Sequence, residues 1–168
     1  MSYFSKKILV LIVAGLLCSQ VNAYTPTSKE EKLLLLASVA DGKSDIKRMR
    51  KLLNKGTNIE VRAAHGDTPL LHAIENGKLS VVELLLNHGA KVNYTNGAHD
   101  QSPLQRAVAK AIEHSDDESK RIDFTKIVVL LLNKNADPDL ADNHGRSARS
   151  LAQKQNIRKE LKDLLEVK

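Results

Sequence analysis

Histidine is the first residue type in this chain whose spacing suggests chemistry. His65, His99 and His144 fall in turn-rich stretches at corresponding places of a recurring pattern. A shared metal ion would need their side chains to converge, with acidic or cysteine company and hydrogen bonds that orient the rings. Stacked helices stand about 8–10 Å apart, and polar residues are ordinary in such turns. Loop polarity is therefore the expectation, and no metal or cofactor is assigned. The acids of Ser115-Asp116-Asp117-Glu118-Ser119 lack the glycine turn and the spacing of a calcium loop.

Catalysis finds no better footing. The chain has no Gly-x-Ser-x-Gly elbow, no His-Glu-x-x-His pair and no phosphate loop, and its one cysteine, Cys18, lies in the N-terminal segment. A non-catalytic protein is expected. The competing reading is an enzyme-associated factor or weak hydrolase working through His114. Basic residues cluster between Lys43 and Lys55 and recur at Lys154, Arg158, Lys159 and Lys162. Beyond the N-terminal segment the only aromatics are Tyr24, Tyr94 and Phe124, too few to stack a row of bases. No nucleic-acid partner is expected, and the basic run reads as a solvated face.

Residues 1–23 have the charged, apolar and small-residue order of a cleaved export signal. Lys6 and Lys7 precede the apolar run Ile8 to Leu17, and Val21-Asn22-Ala23 offers a cleavage site. Ten residues is short for a membrane span. Lipidation at Cys18 is the alternative, but the large Leu17 precedes that cysteine. Cleavage after Ala23 would leave a chain without thiols, and would lower the net charge from +6 to +4, since two lysines leave and no acid does. The expected location is periplasmic or secreted, with no membrane attachment after cleavage.

The elements that must position the remaining polar residues come in repeats. Thr68-Pro69-Leu70 matches Ser102-Pro103-Leu104, and Leu84-Leu85-Leu86-Asn87 matches Leu130-Leu131-Leu132-Asn133. Weaker copies run from Asp45 to Glu60 and from His144 to the end. Thr68 and Ser102 are good helix N-caps, and a proline suits the first helical position, where no amide donor is needed. Gly77 permits the left-handed residue that ends a short helix. Val81, Val82, Leu85 and Leu86 then form one face of a second helix, which Gly89 ends. One such unit cannot cover its own apolar stripe, whereas stacked neighbours can.

The Thr-Pro-Leu opening, the Asn-Gly turn, the Val-Val-x-Leu-Leu-Leu helix and the Gly-Ala-x-Val-Asn exit resemble ankyrin repeats, whose signature is T-P-L-H-x-A. A tetratricopeptide solenoid fits less well, because its tryptophan-tyrosine pattern is missing. The resemblance implies an all-α solenoid of about four helix-turn-helix units with finger-like turns. Those units span about 29–61, 62–96, 97–143 and 144–168, after a tail at 24–28, and the first and last are degenerate caps. It also implies a monomer that binds another protein through its concave face and fingers. A secreted effector for host proteins, or an accessory or immunity-type partner of a periplasmic enzyme or toxin, are alternative forms of that role.

Two departures from the pattern matter. Thr68 to Val81 is 13 positions but Ser102 to Ile127 is 25, so the third unit carries an insertion at about 110–124, expected as a protruding helical hairpin. In the second unit the signature histidine position holds Leu71, and His72 follows it. Successive helical residues turn by about 100°, so Leu71 should pack while His72 turns toward the concave face. Arg106 occupies the same place in the third unit, with Lys110 one turn on. The candidate partner-binding residues are Tyr94, Asn96 and His99 at one finger, His65 and Asp67 at its neighbour, and His72, Arg106 and Lys110 on the inner face. Tyr94 leads them, as an exposed finger tyrosine would be a strong interface anchor.

Overall fold

The computed structural model describes residues 26–40, 42–95, 101–154 and 159–166. The proposed signal segment and the finger residues Asn96 and His99 lie outside them. Among the described residues there are eight helices in four pairs: α1 (Ser28–Val39) and α2 (Lys43–Leu53), α3 (Pro69–Glu75) and α4 (Leu79–Asn87), α5 (Pro103–Glu113) and α6 (Glu118–Asn133), α7 (Ala148–Lys154) and α8 (Lys159–Glu166). None is long and apolar enough to cross a membrane.

The first helices stack in a row, α1 on α3, α3 on α5 and α5 on α7, and the second helices α2, α4 and α6 form a parallel row behind them. This is the all-α solenoid that the repeats imply. Its core runs continuously between the rows, from Leu33 and Met49 through Ile74, Leu85, Leu104 and Leu131 to Leu165. In α4 the apolar stripe widens, because that helix is covered by α2, α3 and α6 together. Leu84 joins the expected four residues, and all five are buried.

Local chemistry starts and stops these helices as the sequence suggests. The Thr68 hydroxyl accepts from the Leu71 amide at 3.4 Å, with Pro69 in the first turn. Ser102 and Gln105 form a reciprocal box: the Gln105 amide donates to Ser102 Oγ at 3.2 Å, and the Ser102 amide donates to Gln105 Oε1 at 2.7 Å. Helix α3 ends at Gly77, whose φ is +63°. In the third unit Asn135, with φ +64°, fills the left-handed position that Gly89 holds in the second, a conformation asparagine adopts more readily than most residues because its short polar side chain can hydrogen-bond locally.

The exits of successive units are hooked together. Glu60 Oε1 accepts from the Lys91 amide at 2.8 Å, and Asn93 Oδ1 accepts from the Asp137 amide at the same distance. Glu60 and Asn93 stand at the same place in their repeats. Asn93 Nδ2 also donates to the Asn135 carbonyl at 2.9 Å, so the exit asparagine satisfies both polarities of the next turn.

The insertion lengthens both helices of the third pair. Helix α5 has 11 residues against seven in α3, and α6 has 16 against nine in α4. Asp117 caps α6, its carboxylate accepting from the Lys120 amide at 3.1 Å. The hairpin is tied down at its base. Phe124 is buried, stacks on His114 at 5.3 Å and 6°, and lies over Gly77 in the preceding unit. Ile122, two positions earlier, faces outward at 40% exposure.

Candidate functional site

The polar residues of the first-helix row meet where α1, α3 and α5 adjoin. Helix α3 places His72 and Glu75 nearly one turn apart. Arg106 and Lys110, four apart on α5, lie beside Glu75: Arg106 Nη1 is 2.8 Å from Glu75 Oε2, and Lys110 Nζ is 2.6 Å from Oε1. Lys110 also meets Glu113 at 2.9 Å. Burial raises the Glu75 carboxyl, but the hydrogen bonds and charges of Lys110 and Arg106 outweigh it and hold the group below its ordinary value. For Lys110, burial pulls down while the two carboxylates push up, and the net shift is upward.

His72 does turn toward this face. Its Nδ1 lies 3.2 Å from Ser38 Oγ on α1, and its ring meets His65 edge-on at 5.4 Å. Among the described residues the buried Nε2 has no hydrogen-bond partner. Burial lowers the His72 pKa most; Asp67 and Glu75 oppose that, and the charges of His65 and Arg106 reinforce it. His65 is largely exposed and its Nε2 is 3.7 Å from Asp67 Oδ2.

That depression has a definite sign in solution. The unfolded chain takes up a proton near pH 6.5 and the folded chain only at lower pH. The contribution of neutral His72 to stability is therefore complete above 6.5. It is lost as the pH falls from there through the depressed folded value. Denaturant unfolding at pH 7 and pH 5 should show a smaller drop for His72→Gln than for the parent chain. An identical pH slope would remove His72 from the account.

The structure thus brings His72, Arg106 and Lys110 together on one face, with His65 and Asp67 at its edge. Arg106 and Lys110 are not open cations, since Glu75 holds both. Glu75 and Ser38 were not singled out in the sequence. Their partners lie 31 and 34 positions away, and only the stacking register aligns them.

Tyr94 differs from the open finger anchor expected. It is half-buried, its hydroxyl bonds the Thr68 hydroxyl, and Arg62 sits 5.8 Å from its ring centre. Burial drives its pKa well above the ordinary phenol value. Tyr94 ties the start of the third finger to the N-cap of α3. Tyr94→Phe should cost about 1 kcal/mol, the usual net worth of one such bond; an unchanged denaturation midpoint would show the bond to be idle.

Two residues escaped the sequence reading for a different reason. Leu35 and Val39 are 61% and 56% exposed, one turn apart on α1 and away from its buried Leu33, Leu36 and Ala37. Within the run Leu33-Leu34-Leu35-Leu36 composition gives no hint of which leucine faces out. Together they add an apolar element to a row otherwise marked by paired charges. The arrangement offers an extended contact surface, within which the Ser38 hydroxyl meets the His72 ring.

Known proteins show the same repeats. The mouse "Ankyrin repeat, SAM and basic leucine zipper domain-containing protein 1" is 31% identical over 97 residues, 58% of this chain and 18% of its own length. Its African elephant (Loxodonta africana) counterpart is 27% identical over 116 residues, 69% of this chain and 22% of its own. An ankyrin repeat protein of fowlpox virus is 43% identical over 53 residues, 31% of this chain and 12% of its own. The chain thus spans less than a quarter of each relative. The family profile "Ankyrin repeats (3 copies)" matches residues 7–96 and again residues 34–117. With paired helices stacked in two rows, capped by Thr-Pro and Ser-Pro and hooked exit to exit, those matches cover more than half of the chain, and it belongs to the ankyrin-repeat family.

Proposed function

We propose that this chain is an exported, non-catalytic module that holds another protein against its first-helix row and finger turns. Ankyrin repeats are in general protein–protein interaction modules, and the family membership supports that role here. The observation that carries the proposal is the exposed Leu35–Val39 pair on α1. Two large aliphatic side chains left open on the row that also bears His72 and Arg106 mark a surface kept for a partner. The rest of the row supplies fixed charge: Glu75, Arg106 and Lys110 hold one another in place and present a preorganised polar rim.

Export rests on the order of charge, apolar run and small residues in 1–23. The first family match begins at residue 7, inside that segment, so the N-terminus of the protein recovered from cells is decisive. Tyr24 as first residue, in an envelope or medium fraction, supports export; an intact Met1 in the cytosol overturns it.

Binding is tested by cross-linked capture followed by titration of the purified partner. Leu35→Glu with Val39→Glu should weaken that complex at least tenfold while leaving thermal stability unchanged, since both side chains are exposed. An affinity equal to the parent's would move the interface off this row.

A further inference from the structure

The second-helix side carries a feature that the binding row does not explain. A groove of about 920 Å³ opens between the starts of α2 and α4 and the extended part of α6. Lys43, Lys47 and Arg50 line one wall at helical positions i, i+4 and i+7, which places them along about 10 Å of one face. Lys78 faces them from the α3–α4 turn. Ile46 and Leu79, both partly buried against the core, give the groove an apolar floor.

The charge there is predominantly positive among the described residues. Among the described residues the only carboxylate lining the groove is Asp123, which lies 3.7 Å from Lys126. No carboxylate of the described residues pairs with any of the four lining cations, whereas nearby Arg48 has Asp45 at 3.3 Å. Like charges in one concavity repel and stay hydrated, and such an arrangement gains most when an anionic partner enters.

Asp123 belongs to the insertion. In the second unit the corresponding helix is seven residues shorter and begins at Leu79, so a third unit built to that length would leave the groove without this wall. Phe124, next in sequence, locks the wall in place over Gly77.

We infer that this groove docks an acidic segment of a partner protein, with aliphatic side chains on Ile46 and Leu79 and carboxylates on Lys43, Lys47, Arg50 and Lys78. The apolar floor lies inside a concavity, which favours a protruding chain over a flat bilayer. Among the described residues no aromatic side chain lines the groove to stack a base, which disfavours a nucleic acid. This is a second surface, separate from the first-helix row, and does not depend on the row being the site of capture.

The test uses the full chain and a fluorescein-labelled peptide rich in glutamate and leucine, followed by anisotropy. The expected result is saturable binding that weakens with salt and falls at least tenfold in K43E/K47E/R50E. Asp123→Asn should tighten it, since that change removes the one carboxylate that lines the groove among the described residues. The same peptide with glutamine for glutamate should bind at least tenfold more weakly. Equal binding of the glutamine peptide, or an unchanged affinity in the triple variant with its helical circular dichroism intact, overturns the proposal. Stronger binding to phosphatidylserine vesicles or to single-stranded DNA than to the peptide, lost in the triple variant, overturns it in favour of those polyanions. L35E/V39E should leave peptide binding intact, so failure of the groove and failure of the row read out separately.

Discussion

Gly77→Val should destabilise the chain by about 2–4 kcal/mol, well beyond the cost of the same kind of change at Gly89. Both glycines have positive φ, +63° and +87°, so each substitution pays about 1–2 kcal/mol for a left-handed backbone. At Gly89 an added Cβ meets nothing within 4 Å. At Gly77 it meets the ring of Phe124 on α6, with Cζ at 3.3 Å, and that ring is buried and stacked on His114. Gly89→Ala therefore measures the backbone cost alone, and the excess in Gly77→Ala measures the ring contact. Phe124→Ala on its own should cost about 3–5 kcal/mol, as for other buried phenylalanines. Combined with Gly77→Ala it should cost less than the two singles added, because the methyl then enters space the ring has left. Denaturant midpoints of the parent chain, Gly77→Ala, Phe124→Ala and the double variant decide this. Strict additivity would mean that the hairpin does not rest on the preceding turn.

Gln105→Leu is the second large effect, expected at about 1–3 kcal/mol. Gln105 has no exposed surface. Its Oε1 accepts from the Ser102 amide at 2.7 Å, and its Nε2 donates to the Arg146 carbonyl in the next finger. Leucine is close in size, so the loss is not one of packing. It leaves the buried Ser102 amide without its partner, at about 1–3 kcal/mol, while the Arg146 carbonyl keeps the Asp142 amide at 2.8 Å and loses only the tie to α5. Gln105 stands where the family signature has histidine, so Gln105→His should recover much of the stability by offering a ring nitrogen to the same turn. If leucine proved as stable as histidine there, the finger bond would contribute nothing. The second unit shows how leucine is tolerated at that place: Leu71 is packed, and the Tyr94 hydroxyl supplies a bond to the Thr68 cap from the far side.

The repeat frame was legible in the chain because it rests on local chemistry. Thr68 and Ser102 cap, prolines open, Gly77 stops, and the leucine runs fall at helical spacing. Periodicity also places His72, Arg106 and Lys110 on one face. It does not say which polar atoms meet there. Glu75 binds Arg106 and Lys110 only because α3 and α5 stack with a particular offset, and an offset leaves no mark in either helix alone. The same holds for Glu60 and the Lys91 amide. Tyr94 was legible as a finger residue, but its exposure depends on a hydroxyl 26 positions away. For the insertion, sequence spacing gave its length and helical character; that Phe124 anchors it follows from contact with a turn in the preceding unit.

The exit hooks have a consequence for how such a chain can change. In each, one side is a carboxylate or amide oxygen from Glu60 or Asn93, and the other is a main-chain N–H. Every residue except proline carries that N–H, so the receiving unit need encode nothing at the joint. Lys91 and Asp137, opposite in charge, serve equally well as receivers. The joint is thus specified from one side, and a unit can be duplicated, lost or lengthened while its neighbour keeps its sequence. A third unit that acquired a dozen extra residues and still hooks to the second is the outcome such one-sided joinery permits.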